Sequence, residues 1–554
     1  MTDEFDSTNT SSVSTHKGVH PGESLSEWMD SVQMPTCPVL TEDLTVDVCV
    51  IGAGIAGLTT AYLLQQEGKK VCVLEDFEIG SGQSGRTTAH FTTALDDRYF
   101  NLEKLHGARG AKLAAESHSA AIKKVEEIVH TEQIDCDLMR LDGYLFVAET
   151  DTEETLFKEL EATRRAGLLG VNLMSRAPMD AFETGPVLQF PRQMKLHPTK
   201  YMRGLSERIL AGGGKIFTNT HITEVKGGDK AYAKSREGHL VMATSIVVAT
   251  NTPINDLFAI HTKQAPYRTY VIAAQIPKNS VPQSLFWDTG DPYHYIRVEP
   301  GLQHDLLVVG GEDHKTGQSE KPSDCYYRLE KWMRDRFHMA QEIIYRWSGQ
   351  VMEPVDGLAF LGHNPMDKNN VYIITGDSGN GMTHCTIGAM LITDQIMTRP
   401  NSWETLYNPS RISLRATATF LRENLNVAAQ YKDWFQGRTF EDVEDLPWGE
   451  GTVFRSGLRQ VAAYKNHDGR LEFFSAACPH LSGVVHWNTA EKSWDCPCHG
   501  SRFDCHGQVI EGPAVENLQE LKIENDHVDS VRDLQTLEKG GPENFLFPRG
   551  LPTI

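Results

Sequence analysis

The chain has 554 residues, 40% hydrophobic and 23% charged, with a formal net charge of −21. That length leaves room for two to four domains, each with its own core. The acidic balance argues against nucleic acid as a partner, because a phosphate backbone calls for a basic patch. No apolar stretch approaches the roughly 18 residues that a membrane span needs, so no membrane span is expected. The N-terminus has an acidic start and no apolar h-region, unlike a secretory signal. Ten scattered cysteines do not form a disulfide scaffold, and a cytoplasmic, reducing location is expected.

Residues 1–43 are rich in Ser, Thr, Asp and Glu, with few apolar positions, and read as a flexible tail. Val46–Ile51 reads as a buried parallel strand. It runs into Gly52-Ala-Gly54-Ile-Ala-Gly57, and Leu58–Gln66 follows as a helix. Lys70–Leu74 is a second strand, ending at Glu75, so the segment is one βαβ unit. Helical periodicity covers about 99–130, 152–166 and 200–212. Apolar strands are predicted at Lys215–Phe217, Ser245–Ala249 and Val371–Thr375. Between about 264 and 345 the pattern changes to short alternating strands, such as Thr269–Gln275 and Tyr293–Val298. This predicts an inserted sheet covering the nucleotide domain. A polar stretch, Gln436–Glu450, closes the region. Beyond it Val453, Gln460–Tyr464 and Leu471–Phe474, with turns at Asp468-Gly469 and His506-Gly507, read as all-β.

The glycine string follows a strand, opens a helix and is followed by an acid, Glu75, 23 residues after Gly52. Gly52 permits the tight turn, Gly54 lets backbone approach a pyrophosphate, and Gly57 lets helix pack on strand. The helix N-terminus then faces the phosphates. This pattern alone does not separate NAD from FAD. Further segments do: Ser81-Gly-Gln-Ser84-Gly-Arg86-Thr87-Thr88, Thr223-Glu-Val225, Val247–Asn251, Trp347-Ser-Gly349 with Pro354–Gly357, and Thr375–Thr383.

With these segments, residues 44–400 resemble the FAD-dependent D-amino-acid, glycine and sarcosine oxidase superfamily. The resemblance implies FAD. It implies contacts from Gly52, Gly54, Gly57 and Glu75, and from Ser84, Arg86, Thr87 and Thr88 to the diphosphate and ribityl chain. Val225 and Thr250 would meet the adenine side. Gly376, Gly379, Gly381 and Met382 would lie beside the isoalloxazine, where a helix N-terminus stabilises negative charge. The family takes a hydride from a carbon bearing nitrogen, and the cofactor carries the chemistry. An amine or amino acid is the implied substrate. Candidates to contact it are His90, Tyr270, Tyr295 and Arg297, the last as a fork for a carboxylate. A Tyr or Arg on a strand is more often packing or a surface pair, so that alternative stands beside the catalytic one. A covalent flavin link at His90 is a further option, although the local match to relatives with such links is poor.

The C-terminal region holds Cys478-Pro-His480 and, sixteen residues after that His, Cys496-Pro-Cys498-His499-Gly-Ser501. Zinc is a rival for such ligands. With Gly507–Ala514, however, the string resembles a Rieske [2Fe–2S] domain over about 440–530. The resemblance implies that Cys478 and Cys496 hold one iron and that His480 and His499 hold the other. Respiratory relatives brace the cluster with a disulfide; Cys498 is present here, but Gly483 stands at its partner's place. Ser501 is retained, while Phe503 replaces a Tyr that donates to the cluster. A potential below the respiratory type is expected, within about −150 to +300 mV. A Rieske oxygenase needs a mononuclear iron site; only 55 residues follow His499, and no convincing Asp/Glu-x-x-His-x4-His pattern occurs.

The expected architecture is therefore an α/β FAD-binding Rossmann-type domain at 44–410, with an inserted α+β substrate subdomain at about 264–345. A linker at 411–439, a small all-β Rieske domain at 440–533 and a tail at 534–554 follow. The expected function is an FAD-dependent oxidoreductase acting on a C–N bond. It passes electrons through the cluster to an external one-electron acceptor. Reversed flow into a reductive flavin reaction, and a redox-sensing electron carrier without substrate chemistry, are the alternatives.

Overall fold

A computed structural model describes residues 24–255, 259–319, 321–365, 367–435, 441–524 and 527–530. The first sheet has a parallel centre in the order Val371–Thr375, Leu240–Val248, Leu44–Ile51, Val71–Leu74 and Lys215–Phe217. These strands are buried on both faces, hence their continuous Val/Ile/Leu/Cys runs. The helix Ile55–Gln66 follows the first strand and packs on Gly381–Ile396 and Pro198–Ala211. A Cβ at Gly57 would stand 1.9 Å from the Gly52 carbonyl oxygen, so only glycine lets this helix start so close to its strand. The predicted helices appear as Tyr99–Glu132, interrupted at Gly107, Glu154–Arg165 and Pro198–Ala211.

The second sheet is wider than the 264–345 segment expected for it. Five of its nine strands come from 264–354, and four come from His90–Phe91, Met139–Phe146, Asn172–Met174 and Val187–Lys195. The join is a parallel pairing of Leu285–Asp288 with Met139–Phe146, a non-local contact that alternation within either strand cannot announce.

Two further departures concern the predicted connections. The part of the expected N-terminal tail that is described, 24–43, is packed rather than loose. Trp28 is fully buried, Leu40 and Cys37 are buried, and the helix Glu27–Ser31 is capped by Ser26. A few large apolar side chains outweighed the polar composition around them. The expected linker is also folded: Thr417–Gln430 is a helix continued by a 3-10 turn, Tyr431–Phe435. One side of it holds the flavin-type domain through Lys315–Glu423 and Asn424–Thr262. Its Val427, Tyr431 and Trp434 pack on the C-terminal core. The tail expected at 534–554 lies outside the described residues.

The C-terminal domain has a three-stranded sheet, Glu450–Ser456, Arg459–Lys465 and Leu471–Ser475. A four-stranded sheet follows: His486–Asn488, Ser493–Asp495, Arg502–Asp504 and Val509–Glu511. The all-β expectation is met among the described residues.

Candidate functional site: one cavity joined to a cysteine–histidine centre

A large cavity opens at the carboxyl ends of the parallel strands, where open α/β sheets bind ligands. Gly52 and Gly54 line it after the first strand, Glu75 after the second, Thr250 after Leu240–Val248, and Gly376, Gly379, Gly381 and Met382 after Val371–Thr375. Ser84, Arg86, Thr87 and Thr88 form another wall. Glu75 Oε2 accepts the Ala53 N–H at 2.6 Å, and Ser84 Oγ accepts the Ile55 N–H at 3.0 Å. Burial pushes the Glu75 carboxyl up to about 7 against the pull of the Ala53 N–H. Ser81 Oγ lines the cavity, buried and without a hydrogen-bond partner, as a group facing a polar ligand would be. These residues fit a dinucleotide.

Two of the expected contacts lie elsewhere. Gly57 serves helix packing only. Val225 does not line the cavity, because its strand, Ile222–Lys226, leaves the cavity after Ile222; Thr220, His221 and Ile222 line it instead.

Across the cavity the second sheet presents Thr269, Trp287, Tyr293 and Tyr295, joined by His90 and Asp96. Of the four candidates for substrate contact, His90 and Tyr295 are brought together, with ring centroids 6.1 Å apart. A Cβ at Gly310 would strike the Tyr295 ring at 2.1 Å, so that glycine seats the ring. Trp287 Nε1–H donates to His90 Nδ1 at 3.1 Å, which leaves the ring proton on Nε2. Burial and the nearby Arg297 hold His90 well below its usual pKa, so it is neutral.

Tyr270 and Arg297 are not in the cavity. Alternation puts Thr269 on the cavity face and turns Tyr270 away to His314 Nε2 at 2.9 Å. Arg297 is fully buried beneath the Thr88–Ala89 backbone, bonded to Glu299 at 2.6 Å and stacked 4.9 Å over Trp28. No substrate carboxylate reaches its fork there.

Residues that pattern reasoning missed complete this end. Tyr293 O–H donates to Asp96 Oδ2 at 2.9 Å, and Tyr295 and Thr269 hydroxyls pair at 2.8 Å. Burial lifts Asp96 to about 6 and Asp313, beside Thr269, to about 7. The Asp96-Asp97 pair shortly after His90 was the only hint of this in the sequence; Trp287 left none.

The C-terminal domain carries the four expected ligands on two loops. Turn bonds close them: Cys478 N–H to Gly483 O at 2.8 Å, and Cys496 N–H to Ser501 O at 2.8 Å. The Cys478 and Cys496 side chains hydrogen-bond to each other, which with burial raises the Cys478 thiol. The His480 and His499 rings meet edge to face, centroids 5.1 Å apart. Burial, then the neighbouring His480, pushes His499 down to about 3, so its imidazole is neutral and able to ligate. His499 Nδ1 is buried without a hydrogen-bond partner. Two thiols on one side and two imidazoles on the other fit a [2Fe–2S] cluster. Gly483 sits against Cys498: a Cβ there would be 2.6 Å from Cys498 Sγ. Cys505 and His506 lie outside this set, His506 pairing with Glu472.

The two centres are not separate. Val509–Gly512 and Ala514–Val515 of the C-terminal domain line the cavity. Glu511 accepts from Gln83 at 2.9 Å and from Asn251 at 3.1 Å, both cavity residues. Gln350, also in the cavity wall, donates to the Gly500 carbonyl at 3.0 Å. His261 packs on both cluster-type histidines, at 4.9 and 5.7 Å.

A dinucleotide cavity under the second sheet, joined to a cysteine–histidine centre, defines a flavin-type oxidoreductase with an iron–sulfur domain. Comparison with known families agrees. The FAD dependent oxidoreductase model (DAO) matches residues 47–395, and the chain belongs to that family; the Rieske [2Fe-2S] domain model matches 439–522. The chain is thus an oxidoreductase of FAD and a [2Fe–2S] cluster. It is 30% identical to the putative Rieske 2Fe-2S iron-sulfur protein YhfW of Bacillus subtilis (strain 168), over 90% of this chain and 97% of that protein. It is 27% identical to gamma-glutamylputrescine oxidoreductase of Escherichia coli (strain K12), over 64% of this chain and 84% of that one. Among solved structures, glycine oxidase from Geobacillus kaustophilus shares the fold with a TM-score of 0.56 at 16% identity, covering 67% of this chain and 99% of its own. No helix among the described residues is long and apolar enough to cross a membrane.

Proposed function

We propose that the protein oxidises a C–N bond of a small amine or amino acid and sends the electrons, one at a time, through its cluster to an external acceptor. The carrying observation is the shared wall: Gln350 lines the flavin cavity and bonds the carbonyl next to His499. Bound FAD would take a hydride from the carbon bearing nitrogen and give up its two electrons singly. The glycine turns and Ser81, Ser84 and Glu75 would hold it. Cys478 and Cys496 would hold one iron of the cluster, and His480 and His499 the other.

The chain's own residues do the positioning. Trp287, Tyr293 and Tyr295 exclude water from the substrate end, and Asp96 offers a carboxylate where a proton must be taken. The open, polar and aromatic cavity supports catalysis over an electron carrier without substrate chemistry. The similarity to gamma-glutamylputrescine oxidoreductase supports C–N chemistry. A cytoplasmic location belongs to the same proposal: Gly483 removes the disulfide partner of Cys498, and all ten cysteines are unbridged.

The test is anaerobic stopped-flow absorbance on the holoprotein, with amines and amino acids. Flavin bleaching followed by cluster reduction is expected. Rapid peroxide formation in air, with the cluster left oxidised, contradicts the relay.

A further inference from the structure

We infer that the cavity takes an amine with no carboxylate on its reacting carbon, held as an ammonium by Asp96 and the rings of Trp287, Tyr293 and Tyr295. This rests on the C–N oxidation proposed above and narrows its substrate.

An α-amino acid needs a cation for its carboxylate, best a guanidinium fork. Among the described residues lining the cavity, Arg86 is the one Lys or Arg. Its Nη1 donates to Ser24 Oγ at 2.9 Å and to Ser348 O at 3.0 Å, Glu491 of the C-terminal domain is its counter-ion at 3.7 Å, and its buried, unpartnered Nε and Nη2 sit on the wall with Ser84, Thr87 and Thr88 rather than beside Asp96. The arginine of the substrate sheet, Arg297, is consumed by Glu299 and by backbone carbonyls under the cavity floor.

The substrate end has the opposite character. Asp96 stands beside the Gly379 turn: a Cβ on Gly379 would lie 2.0 Å from Asp96 Oδ2 and 3.0 Å from the Tyr293 hydroxyl. Tyr293 and Tyr295 are neighbours at 5.5 Å, and His90 bridges Tyr295 to Trp287. Aromatic faces beside a carboxylate attract an alkylammonium. One buried polar atom of a residue lining this space has no hydrogen-bond partner: His90 Nε2, which carries the ring proton. An unsatisfied donor beside this space points to a polar ligand there.

The proton balance also closes. An N–H bond of the ammonium breaks, and its proton forms an O–H bond on the Asp96 carboxylate. The substrate C–H bond then breaks, its electron pair leaving as hydride to the flavin, while the nitrogen lone pair forms the C=N bond.

The experiment compares tert-butylamine with 2-aminoisobutyrate, in which a carboxylate replaces one methyl. Neither has a hydrogen on the carbon bearing nitrogen, so both bind without turnover. Binding to the oxidised holoprotein is read by calorimetry and by perturbation of the flavin absorbance. Tert-butylamine is expected to bind about tenfold or more tightly than 2-aminoisobutyrate, as for one charge-assisted contact against an unpaired charge. Asp96→Asn is expected to lose that preference with the flavin spectrum retained, and Asp96→Glu to recover part of it. Equal or tighter binding of 2-aminoisobutyrate overturns the inference, and so does binding of neither. The bleaching experiment above then decides C–N oxidation separately, since amino acids that bleach the flavin uphold it without this narrower substrate.

Discussion

Gln350 Nε2 donates to the Gly500 carbonyl at 3.0 Å, so one side chain touches both the flavin cavity and the loop that carries His499. Its Oε1 accepts from Thr316 at 3.1 Å, and its N–H donates to Gln83 at 2.6 Å, which hold it in place. The geometry makes the small domain part of the flavin site rather than a tethered neighbour.

Gln350→Leu leaves the buried Gly500 carbonyl without its donor, a cost of about 1–3 kcal/mol. Cluster reduction is expected to slow more than flavin reduction. Stopped-flow absorbance for the flavin and freeze-quench electron paramagnetic resonance for the cluster separate the two. Equal slowing of both rates counts against a docking role.

The pH dependence follows from Asp96. Burial raises its carboxyl to about 6, with Asp97 and Asp377 adding to the rise and Arg98 and Tyr293 opposing it. A raised acid is neutral below its pKa and cannot pair an ammonium. The value of kcat/KM for an amine should therefore fall as pH drops through about 6. An alkylammonium stays charged throughout that range, so the acid limb belongs to the enzyme. Asp96→Asn should flatten it; an unchanged limb would assign it to another group.

Gly483→Cys tests the missing brace. A Cβ there would lie 3.3 Å from Cys498 Cβ, slightly short of the roughly 3.5–4.5 Å of disulfides. A small loop shift lets the bond form in oxidising buffer. Loss of a pair of titratable thiols and a raised reduction potential are expected. In the natural chain, with Phe503 in place of a hydroxyl donor, redox titration should place the cluster below the top of the roughly −150 to +300 mV Rieske range.

Trp28→Ala removes a fully buried ring, its 2.7 Å bond to the Thr87 carbonyl and its stacking on Arg297. A loss of about 3–5 kcal/mol is expected. Because Thr87 and Thr88 line the cavity, FAD should also dissociate more readily. Thermal unfolding and retained flavin absorbance after gel filtration measure the two effects.

Both cofactors were legible because their sites are built from contiguous strings. A strand, a glycine turn and a helix occupy Val46–Gln66, and each pair of cluster ligands sits on one short loop. Local backbone geometry dictates such strings, and together they carry the family resemblance that implies each cofactor. The substrate end was half legible. His90 and Tyr295 reach the cavity, but one-residue alternation turned Tyr270 away, and Glu299 captured Arg297. Asp96, Trp287 and Tyr293 come from three separate segments, and nothing local marks their meeting.

The sequence by itself determined the two domain types and the cofactors they imply, and it singled out four candidate cluster ligands, because residues close in the chain hold each of these. Tertiary structure alone decided that residues 24–43 are packed and that residues 417–435 form a helical clamp. It also decided that Val509–Val515 close the flavin cavity. Those outcomes depend on which surfaces meet after folding, and long-range burial and hydrogen bonding set them rather than any periodicity along the chain.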